Sequence, residues 1–263
     1  MSLSASNITV GYEKKTISAE LSLDVPESRF TAIIGPNACG KSTLLRALSR
    51  LLKPRVGEVL LDGRDIHALP ARQVARRLGL LPQSSIAPDG IVVADLVARG
   101  RFPHQTLIRQ WSAADEAAVV AAMAATGVTD LSGELVDTLS GGQRQRVWVA
   151  MVLAQQTPIV LLDEPTTFLD IAHQIDLLEL CVRLNREQGT TMVAVLHDLN
   201  QAARYADHVV VMKAGRIVDQ GAPRAVVTAE LIEDVFGLAC RIIDDPETGT
   251  PLVIPRSSIV RLT

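Results

Sequence analysis

Residues 35–43, which read GPNACGKST, constrain the fold of this chain more than any other stretch. They fit the pattern G-x-x-x-x-G-K-[ST], in which glycines allow a tight loop and successive backbone N–H groups converge on phosphate oxygens. Residues 30–34 before the loop are apolar and largely β-branched, which predicts a buried strand. Residues 42–52 after it carry leucines at helical spacing. The order of strand, glycine-rich loop and helix therefore predicts a phosphate-binding loop.

Two side chains of this loop have predicted roles. Lys41 is expected to reach the β- and γ-phosphates of a nucleotide, and the Ser42 hydroxyl is expected to ligate Mg²⁺. The alternative, a glycine-rich turn followed by a solvated lysine, is disfavoured by the flanking strand and helix. Ala38 is predicted to adopt an ordinary backbone conformation, because alanine at positive φ is strained. The predicted binding loop comprises Gly35, Pro36, Asn37, Ala38, Cys39, Gly40, Lys41, Ser42 and Thr43.

Composition limits the function classes open to the chain. It has 263 residues, of which 48% are hydrophobic and only 3% aromatic, which suits a parallel sheet covered by helices. The net charge is −3 and no basic block stands out, so we expect no nucleic-acid partner. We expect neither a signal peptide nor a transmembrane helix, so another chain would supply any membrane part. The three cysteines lack metal-ligand spacing and are expected to be reduced thiols.

The order of predicted elements indicates an α/β fold. Strands dominate the first 83 residues, with a turn at residues 11–15. The strand pattern then disappears, and residues 92–101, 112–126 and 140–155 read as helices, the second with Ser112 as its predicted N-cap. Strands and helices alternate again from residue 158, with a helix predicted over residues 171–188, which implies a mostly parallel sheet. We predict one domain over residues 1–263, with a helical subdomain inserted at about 84–158 and a C-terminal extension at about 221–263.

Residues 158–165, PIVLLDEP, form an apolar strand that ends in two carboxylates. Functional side chains of parallel sheets lie at the carboxyl ends of the strands. Asp163 is placed to hold Mg²⁺, directly or through water. Glu164 is placed to accept a proton from an attacking water or to polarise it. The alternative is a solvated Asp-Glu pair at a strand end.

Residues 139–143, LSGGQ, open the third predicted helix. Ser140 and Gln143 fit a capping box, so ordinary helix capping is one interpretation. The consecutive Gly141 and Gly142 would be costly for capping alone, but they suit a phosphate that approaches the backbone. The chain would then have two anion-binding helix starts and one Asp-Glu strand end. This imbalance suggests that the second helix start serves a nucleotide bound by another chain.

Three further candidates carry weak signals on their own. His197 follows an apolar strand that should neighbour residues 158–163, so it could reach a γ-phosphate, although such a histidine is more often packed or solvated. Gln83 follows another strand and could contact Mg²⁺ or water. Tyr12 could stack on a base or cover the core.

Taken together, these motifs resemble the ATP-binding subunit of an ABC transporter over nearly the whole chain. Residues 35–43 match the family's phosphate loop, Gln83 its Q-loop and Leu139–Gln143 its signature motif without change. Residues 159–164 match the Walker B strand, Asp170 the D-loop, His197 the switch histidine and Tyr12 the aromatic that stacks on adenine. Ala38 departs from the pattern, which often has glycine there. The resemblance implies a P-loop NTPase of the RecA-like type, with an N-terminal antiparallel β part.

The resemblance also implies ATP and Mg²⁺ as cofactors, with Ser42, Gln83 and Asp163 at the metal. Lys41, Glu164 and His197 would take part in hydrolysis. Two subunits would pair head to tail, so that the signature residues Ser140, Gly141, Gly142 and Gln143 face the partner's ATP. Transmembrane permease subunits would dock near Gln83, a substrate-binding protein would act with them, and the chain would lie at the cytoplasmic face of the inner membrane.

The subfamily prediction rests on three stretches, residues 78–83, 98–105 and 244–251. They resemble bacterial importers of ferric siderophores, with vitamin B12 importers as close relatives, although they could be generic importer segments. Iron(III)-siderophore is the favoured cargo, and vitamin B12 or haem are the alternatives. A soluble ABC ATPase without a transport role is the competing class, but such proteins usually carry two ATP-binding halves or long coiled coils. Whether the paired ATPase subunit is a copy of this chain stays open.

Overall fold

The computed structural model describes residues 1–13, 15–83, 86–105 and 111–256. The strands are β1 (Leu3–Tyr12), β2 (Lys15–Val25), β3 (Phe30–Ile34), β4 (Val56–Leu61), β5 (Arg64–Asp65), β6 (Leu78–Leu81), β7 (Ile159–Asp163), β8 (Thr191–Val195), β9 (His208–Lys213), β10 (Arg216–Gly221), β11 (Cys240–Asp244) and β12 (Pro251–Pro255). The α-helices are α1 (Lys41–Leu48), α2 (Ala71–Ala75), α3 (Val93–Ala98), α4 (Ala113–Ala125), α5 (Gly141–Ala154), α6 (Ile171–Gln188), α7 (Leu199–Tyr205), α8 (Pro223–Val226) and α9 (Ala229–Phe236).

Parts of three predicted segments lie outside the described residues. These are Lys14 of the predicted turn, residues 84, 85 and 106–110 of the predicted helical subdomain, and residues 257–263 of the predicted extension.

The central sheet has six strands in the order β10-β9-β3-β8-β7-β6. Strands β9, β3, β8, β7 and β6 are parallel, and β10 joins antiparallel through a hairpin at Ala214–Gly215. The α/β fold with a mostly parallel sheet is thereby confirmed. The neighbouring positions of β7 and β8, predicted for the strand before His197, are also confirmed.

Alternate residues of each central strand face two separate cores. In β7, Val160 and Leu162 pack into the core shared with α3, α4, α5 and α6. Ile159 and Leu161 face the opposite core, which contains α1 and the antiparallel sheet. All four side chains are buried, which explains why the strand reads as a continuous apolar run rather than an alternating one.

The N-terminal part is antiparallel, as the resemblance implied, and it forms a four-stranded sheet in the order β2-β1-β4-β5. The turn predicted at residues 11–15 is shorter than expected, because β1 continues to Tyr12 and β2 begins at Lys15. These two residues pair across the hairpin. The extra pairing brings the start of β2 beside the phosphate loop.

The segment between β6 and β7 contains α3, α4 and α5. The helix predicted at 92–101 ends at Ala98 and continues as a 3₁₀ helix over Arg99–His104. Pro103, within that 3₁₀ segment, lacks the N–H that an α-helix needs. Ser112 caps α4, as predicted, in a capping box with Asp115. The hairpin β11–β12 lies at the end of the described residues and packs against α7 and α9.

No helix within the described ranges is both long and apolar enough to cross a membrane.

Candidate nucleotide-binding site

Four neighbouring parallel strands deliver the predicted site residues to one edge of the sheet. The phosphate loop follows β3, His197 follows β8 by two residues, Glu164 follows β7 directly, and Gln83 follows β6 by two residues. Carboxyl ends of adjacent parallel strands meet at a common edge, so residues far apart in the chain converge there. A cavity of about 690 Å³ at this edge is lined by Lys15, Ile17, Asn37, Ala38, Gly40, Lys41, Ser42, Thr43, Gln83, Glu164, Thr167 and His197.

The phosphate loop owes its path to glycines at its two ends. A Cβ at Gly35 would collide with the Met212 carbonyl oxygen of the adjacent strand β9. Gly40 has φ 109°, a left-handed conformation that glycine adopts without a steric penalty, and it caps α1. The N–H groups at the start of α1 therefore face the cavity.

Ala38 corrects one prediction. It was expected to adopt an ordinary backbone conformation, but its φ is 60°, in the left-handed region. The Cβ of an L-residue crowds the neighbouring carbonyl there, so the loop carries strain at this position. The loop shape required at its tip, where Ala38 lines the cavity, overrides the preference of alanine.

The loop's lysine and serine make defined contacts. Lys41 is 5% exposed, and its Nζ donates to the carbonyl oxygens of Gly35 at 2.8 Å and Pro36 at 2.9 Å. The Ser42 hydroxyl donates to Asp163 Oδ1 at 2.9 Å. Burial raises the pKa of the Asp163 carboxyl, while the hydrogen bond from Ser42 acts in the opposite direction. Ser42 and Asp163, both predicted at the metal, are therefore in direct contact.

Glu164 and His197 also meet. His197 Nε2 lies 2.8 Å from Glu164 Oε1, and the Glu164 side chain is mostly buried while that of His197 is half exposed. Glu164 has φ 54°, which is strained for a residue with a Cβ. The Thr167 hydroxyl lies 3.5 Å from Glu164 Oε2. The strained backbone and these partners orient the carboxylate toward the cavity.

Tyr12 lies at the rim rather than in the wall of this cavity. Its ring is 41% exposed, and its hydroxyl accepts a hydrogen bond from Arg46 Nη1 at 3.1 Å. Arg46 lies on α1, five residues after its first residue, Lys41. The partner strand places Lys15, opposite Tyr12, in the cavity wall. The exposed ring is thus held beside the cavity entrance.

The signature residues lie outside the phosphate-loop cavity, and Gly141 lines an adjacent cavity together with Gln83 and Glu164. Ser140 caps α5, and its hydroxyl and the Gln143 side chain bond reciprocally to backbone N–H groups, so the predicted capping box is formed. Gly141 and Gly142 pack on Phe168 and Leu169. None of the four residues Ser140–Gln143 lines the cavity at the phosphate loop.

Asp170 also lies outside that cavity. Its carboxylate caps α6 by accepting from the His173 backbone N–H at 3.0 Å, and its Oδ1 lies 2.7 Å from the His173 ring. These hydrogen bonds from His173 hold the pKa of Asp170 below its ordinary value. The nearby residues Phe168, two positions before Asp170, and Ile171, directly after it, are 75% and 74% exposed.

Sequence reasoning missed Thr167, Lys15, Ile17 and Arg46. Thr167 could have been predicted, because it lies between the Asp-Glu strand end and Asp170. Lys15 and Ile17 were missed because a turn was predicted over residues 11–15, so strand pairing was not expected there, whereas β2 begins at Lys15. Arg46 has no recognisable sequence signal, because it lies on α1 and its contact, Tyr12, lies on the separate strand β1.

The fold and the motif order define a nucleoside triphosphatase of the P-loop class. A family model described as "ABC transporter" matches residues 19–167, more than half of the chain. The chain belongs to the ABC transporter family, as the resemblance implied, and it is an ATP-binding subunit with ATPase activity.

Curated relatives extend the match beyond the family model. The chain is 60% identical over 253 residues to the ferric enterobactin transport ATP-binding protein FepC of Escherichia coli (strain K12), covering 96% of this chain and 93% of FepC. It is 51% identical to a protein of Bacillus subtilis (strain 168) named "Probable siderophore transport system ATP-binding protein YusV", and the match covers 96% of this chain and 92% of that protein.

Solved structures share the fold over similar lengths. The structure described as "An inward-facing conformation of a putative metal-chelate type ABC transporter" superposes with a TM-score of 0.83 at 27% identity, covering 98% of both chains. The dimeric structure of MJ0796, a bacterial ABC transporter cassette, superposes with a TM-score of 0.75 at 26% identity, covering 84% of this chain and 98% of that one.

Proposed function

We propose that this chain is the ATPase subunit of a bacterial importer and powers uptake of an iron(III)-siderophore. The observation that carries the proposal is the 60% identity to a ferric enterobactin transport ATP-binding protein over 96% of the chain. The joined Glu164–His197 pair beside the phosphate loop supplies the chemistry that such a subunit needs. The cargo itself would be handled by other chains, so vitamin B12 and haem remain outcomes of the test below.

We assign ATP to the cavity at the phosphate loop, with the backbone N–H groups of residues 35–43 around its phosphates. Lys41 would leave the loop carbonyls and pair with the β- and γ-phosphates. Tyr12 would stack its exposed ring on the base.

Mg²⁺ fits the donor set on this face. Ser42, Asp163 and Gln83 offer hydroxyl, carboxylate and amide oxygens, which are the ligands that Mg²⁺ prefers. The contact between Ser42 and Asp163 at 2.9 Å shows that two of these oxygens already converge. When bound, the ion would neutralise charge that develops on the phosphate oxygens.

Glu164 is the proposed general base. Its carboxylate would accept a proton from the attacking water, and the left-handed backbone conformation at φ 54°, imposed by the surrounding structure, would set the direction of the side chain for that step. His197, 2.8 Å away, would orient the carboxylate and contact the γ-phosphate. Lys41 would stabilise the charge of the transferred phosphoryl group, so catalysis is mainly positioning and electrostatics.

A second copy of the chain is the proposed partner across the nucleotide. The Ser140–Gln143 helix start lies outside the chain's own phosphate-loop cavity, so its free N–H groups are available to ATP on another subunit. Asp170, with exposed Phe168 and Ile171 beside it, would lie at the same interface. The dimeric form of the MJ0796 cassette supports this pairing.

Transmembrane permease subunits, together with a substrate-binding protein, are the proposed transport partners. They would dock near Gln83 and the helical segment, where Phe102 is 59% exposed. The chain would then lie peripherally at the cytoplasmic face of the inner membrane. We further propose a single domain over residues 1–263, with residues 84–158 as the inserted signature subdomain and 221–263 as its extension.

The test replaces Glu164 with Gln in the source organism and measures uptake of labelled ferric siderophores, vitamin B12 and haem. Selective loss of ferric siderophore uptake is the expected result. A matched control is Glu187→Gln, at the exposed end of α6, which should leave uptake unchanged. Loss of vitamin B12 or haem uptake instead would reassign the cargo. Normal uptake of all three, with the chain absent from the membrane fraction, would refute the importer function.

A further inference from the structure

Two glutamines join helices α6 and α7 beside the site. Gln201 Nε2 donates to Gln174 Oε1 at 2.8 Å, and Gln174 Nε2 donates to the Leu169 carbonyl at 3.0 Å. Both side chains are half-buried. A backbone carbonyl can only accept, so Gln174 must turn its NH₂ toward Leu169 and its oxygen toward Gln201. One carbonyl therefore sets the orientation of both amides.

At one end, this pair is fixed to the start of α7. Asp198 caps the helix by accepting from the backbone N–H groups of Asn200 at 2.8 Å and Gln201 at 2.9 Å. Gln201 thus lies in the capped first turn of the helix. His197 immediately precedes the cap, and its ring contacts Glu164. A shift of Gln201 would therefore move the segment that carries His197.

At the other end, the pair is fixed to the segment Phe168–Asp170. Leu169 is 8% exposed and directly precedes Asp170, the cap of α6. A Cβ added to Gly142 would lie 3.5 Å from the Leu169 side chain and 3.4 Å from the Phe168 carbonyl oxygen. The segment that receives the hydrogen bond of Gln174 is therefore packed against the glycines that open α5.

We propose that Gln174 and Gln201 are positioning residues that hold His197 at a fixed position relative to the Phe168–Asp170 segment. Neither side chain lines the phosphate-loop cavity, so they act through His197 and not on the nucleotide. The pair links the chain's own hydrolytic residues to the surface proposed to face the second subunit. The inference rests on the proposed roles of His197 and Asp170.

The test measures the ATPase activity of the purified full chain at high protein concentration, over a range of ATP concentrations. Gln201→Glu is the decisive variant, because it preserves size while it places a carboxylate oxygen against Gln174 Oε1. We expect kcat to fall roughly three- to tenfold, as for the loss of one hydrogen bond, with KM for ATP unchanged.

Further variants separate hydrogen bonding from packing. Gln201→Lys retains a donor toward Gln174 and should keep most of the wild-type kcat. Gln174→Ala alone should also lower kcat, and the double variant Gln174→Ala/Gln201→Glu should be no slower than the slower of the two single variants, because both changes break one connection. Gln188→Ala, in the last turn of the same helix α6, is the matched control and should leave kcat unchanged.

Thermal unfolding of each variant completes the test. The proposal is overturned if Gln201→Glu retains the wild-type kcat, if KM rises instead of kcat falling, or if the two single effects add in the double variant. It is also overturned if Gln201→Lys is as slow as Gln201→Glu while both remain folded at the assay temperature. An inactive but folded wild-type chain would contradict the proposed ATPase site itself, which is a different outcome from any of these.

Discussion

Replacement of Arg101 by methionine is expected to destabilise the helical segment between β6 and β7. Arg101 and Asp115 are each only 5% exposed, and Arg101 Nε donates to Asp115 Oδ1 at 2.9 Å. Arg101 Nη1 also donates to the Ala154 carbonyl at 2.7 Å and to Gln156 Oε1 at 3.0 Å. One guanidinium therefore ties the Arg99–His104 segment to α4 and to the end of α5.

The magnitude follows from what the substitution leaves behind. Methionine fills much of the volume of the arginine stem, but it removes the charged donor of the Asp115 carboxylate and the guanidinium donor of the Ala154 carbonyl. Removal of one partner of a buried ion pair typically costs about 3–5 kcal/mol. Because Ser112 still donates to Asp115, we expect a loss of about 3 kcal/mol in the free energy of unfolding, at the lower end of that range.

Urea denaturation at pH 7 measures this loss. Arg101→Met/Asp115→Asn should be more stable than Arg101→Met alone, because the double variant buries no unpaired charge. Arg224→Met is the surface control. The Arg224–Asp244 pair lies 3.2 Å apart but is 65% and 71% exposed, so its loss should cost less than about 1 kcal/mol. An Arg101→Met loss as small as that of Arg224→Met would refute the reasoning.

The pH dependence of stability tests the same ion pair, and the pKa of Asp115 fixes the direction of the expected change. The Ser112 hydroxyl, and then the Arg101 guanidinium, hold the pKa of Asp115 below its ordinary value of 3.8. A lowered folded-state pKa stabilises the fold above the unfolded pKa, and this stabilisation disappears as pH falls through the folded value. The stability difference between wild type and Arg101→Met should therefore shrink below about pH 4. A difference that grows on acidification would contradict the ion-pair explanation.

Three further predictions concern the nucleotide site. Glu164→Gln should lower ATPase kcat by about 10²–10⁴-fold while a fluorescent ATP analogue still binds, and unchanged turnover would remove Glu164 as the base. Arg46→Ala and Tyr12→Phe should each raise KM for ATP several-fold with kcat unchanged, and their effects should not add, because both delete the bond at 3.1 Å. Ala38→Gly should raise the free energy of unfolding by about 0.5–1 kcal/mol through relief of the strain at φ 60°, and a loss in urea denaturation would contradict this.

Several local features of the structure were predictable from short stretches of sequence. The strand, loop and helix at residues 30–48 follow from apolar runs and from glycines at the loop ends. The helix Ile171–Gln188 occupies the range predicted for it, because Asp170 caps its start and Gly189, with φ 67°, ends it. Ser112 and Ser140 were identified as caps for the same reason. Such signals are local, since a cap and its partner lie within one turn.

Predictions failed where the surrounding fold overrides a local preference. Alanine disfavours positive φ, but the phosphate loop imposes it on Ala38. The helix predicted over residues 42–52 ends at Leu48, and the backbone N–H of Leu52 instead bonds to the Arg46 carbonyl at 2.9 Å. The turn at 11–15 contracts because cross-strand pairing continues to Tyr12 and Lys15. In each case, contacts with residues outside the local window decide the conformation.

The sequence by itself determined the class of this protein, because the phosphate loop, the Asp-Glu strand end and the LSGGQ helix start are contiguous motifs with their own chemistry. Only the tertiary structure decided which of their side chains touch. The pairs Ser42–Asp163, Glu164–His197 and Gln174–Gln201 each join separate elements, and the first spans 121 residues of chain. Such contacts depend on strand order and side-chain direction, which arise only when the parallel strands align their carboxyl ends at one edge of the sheet.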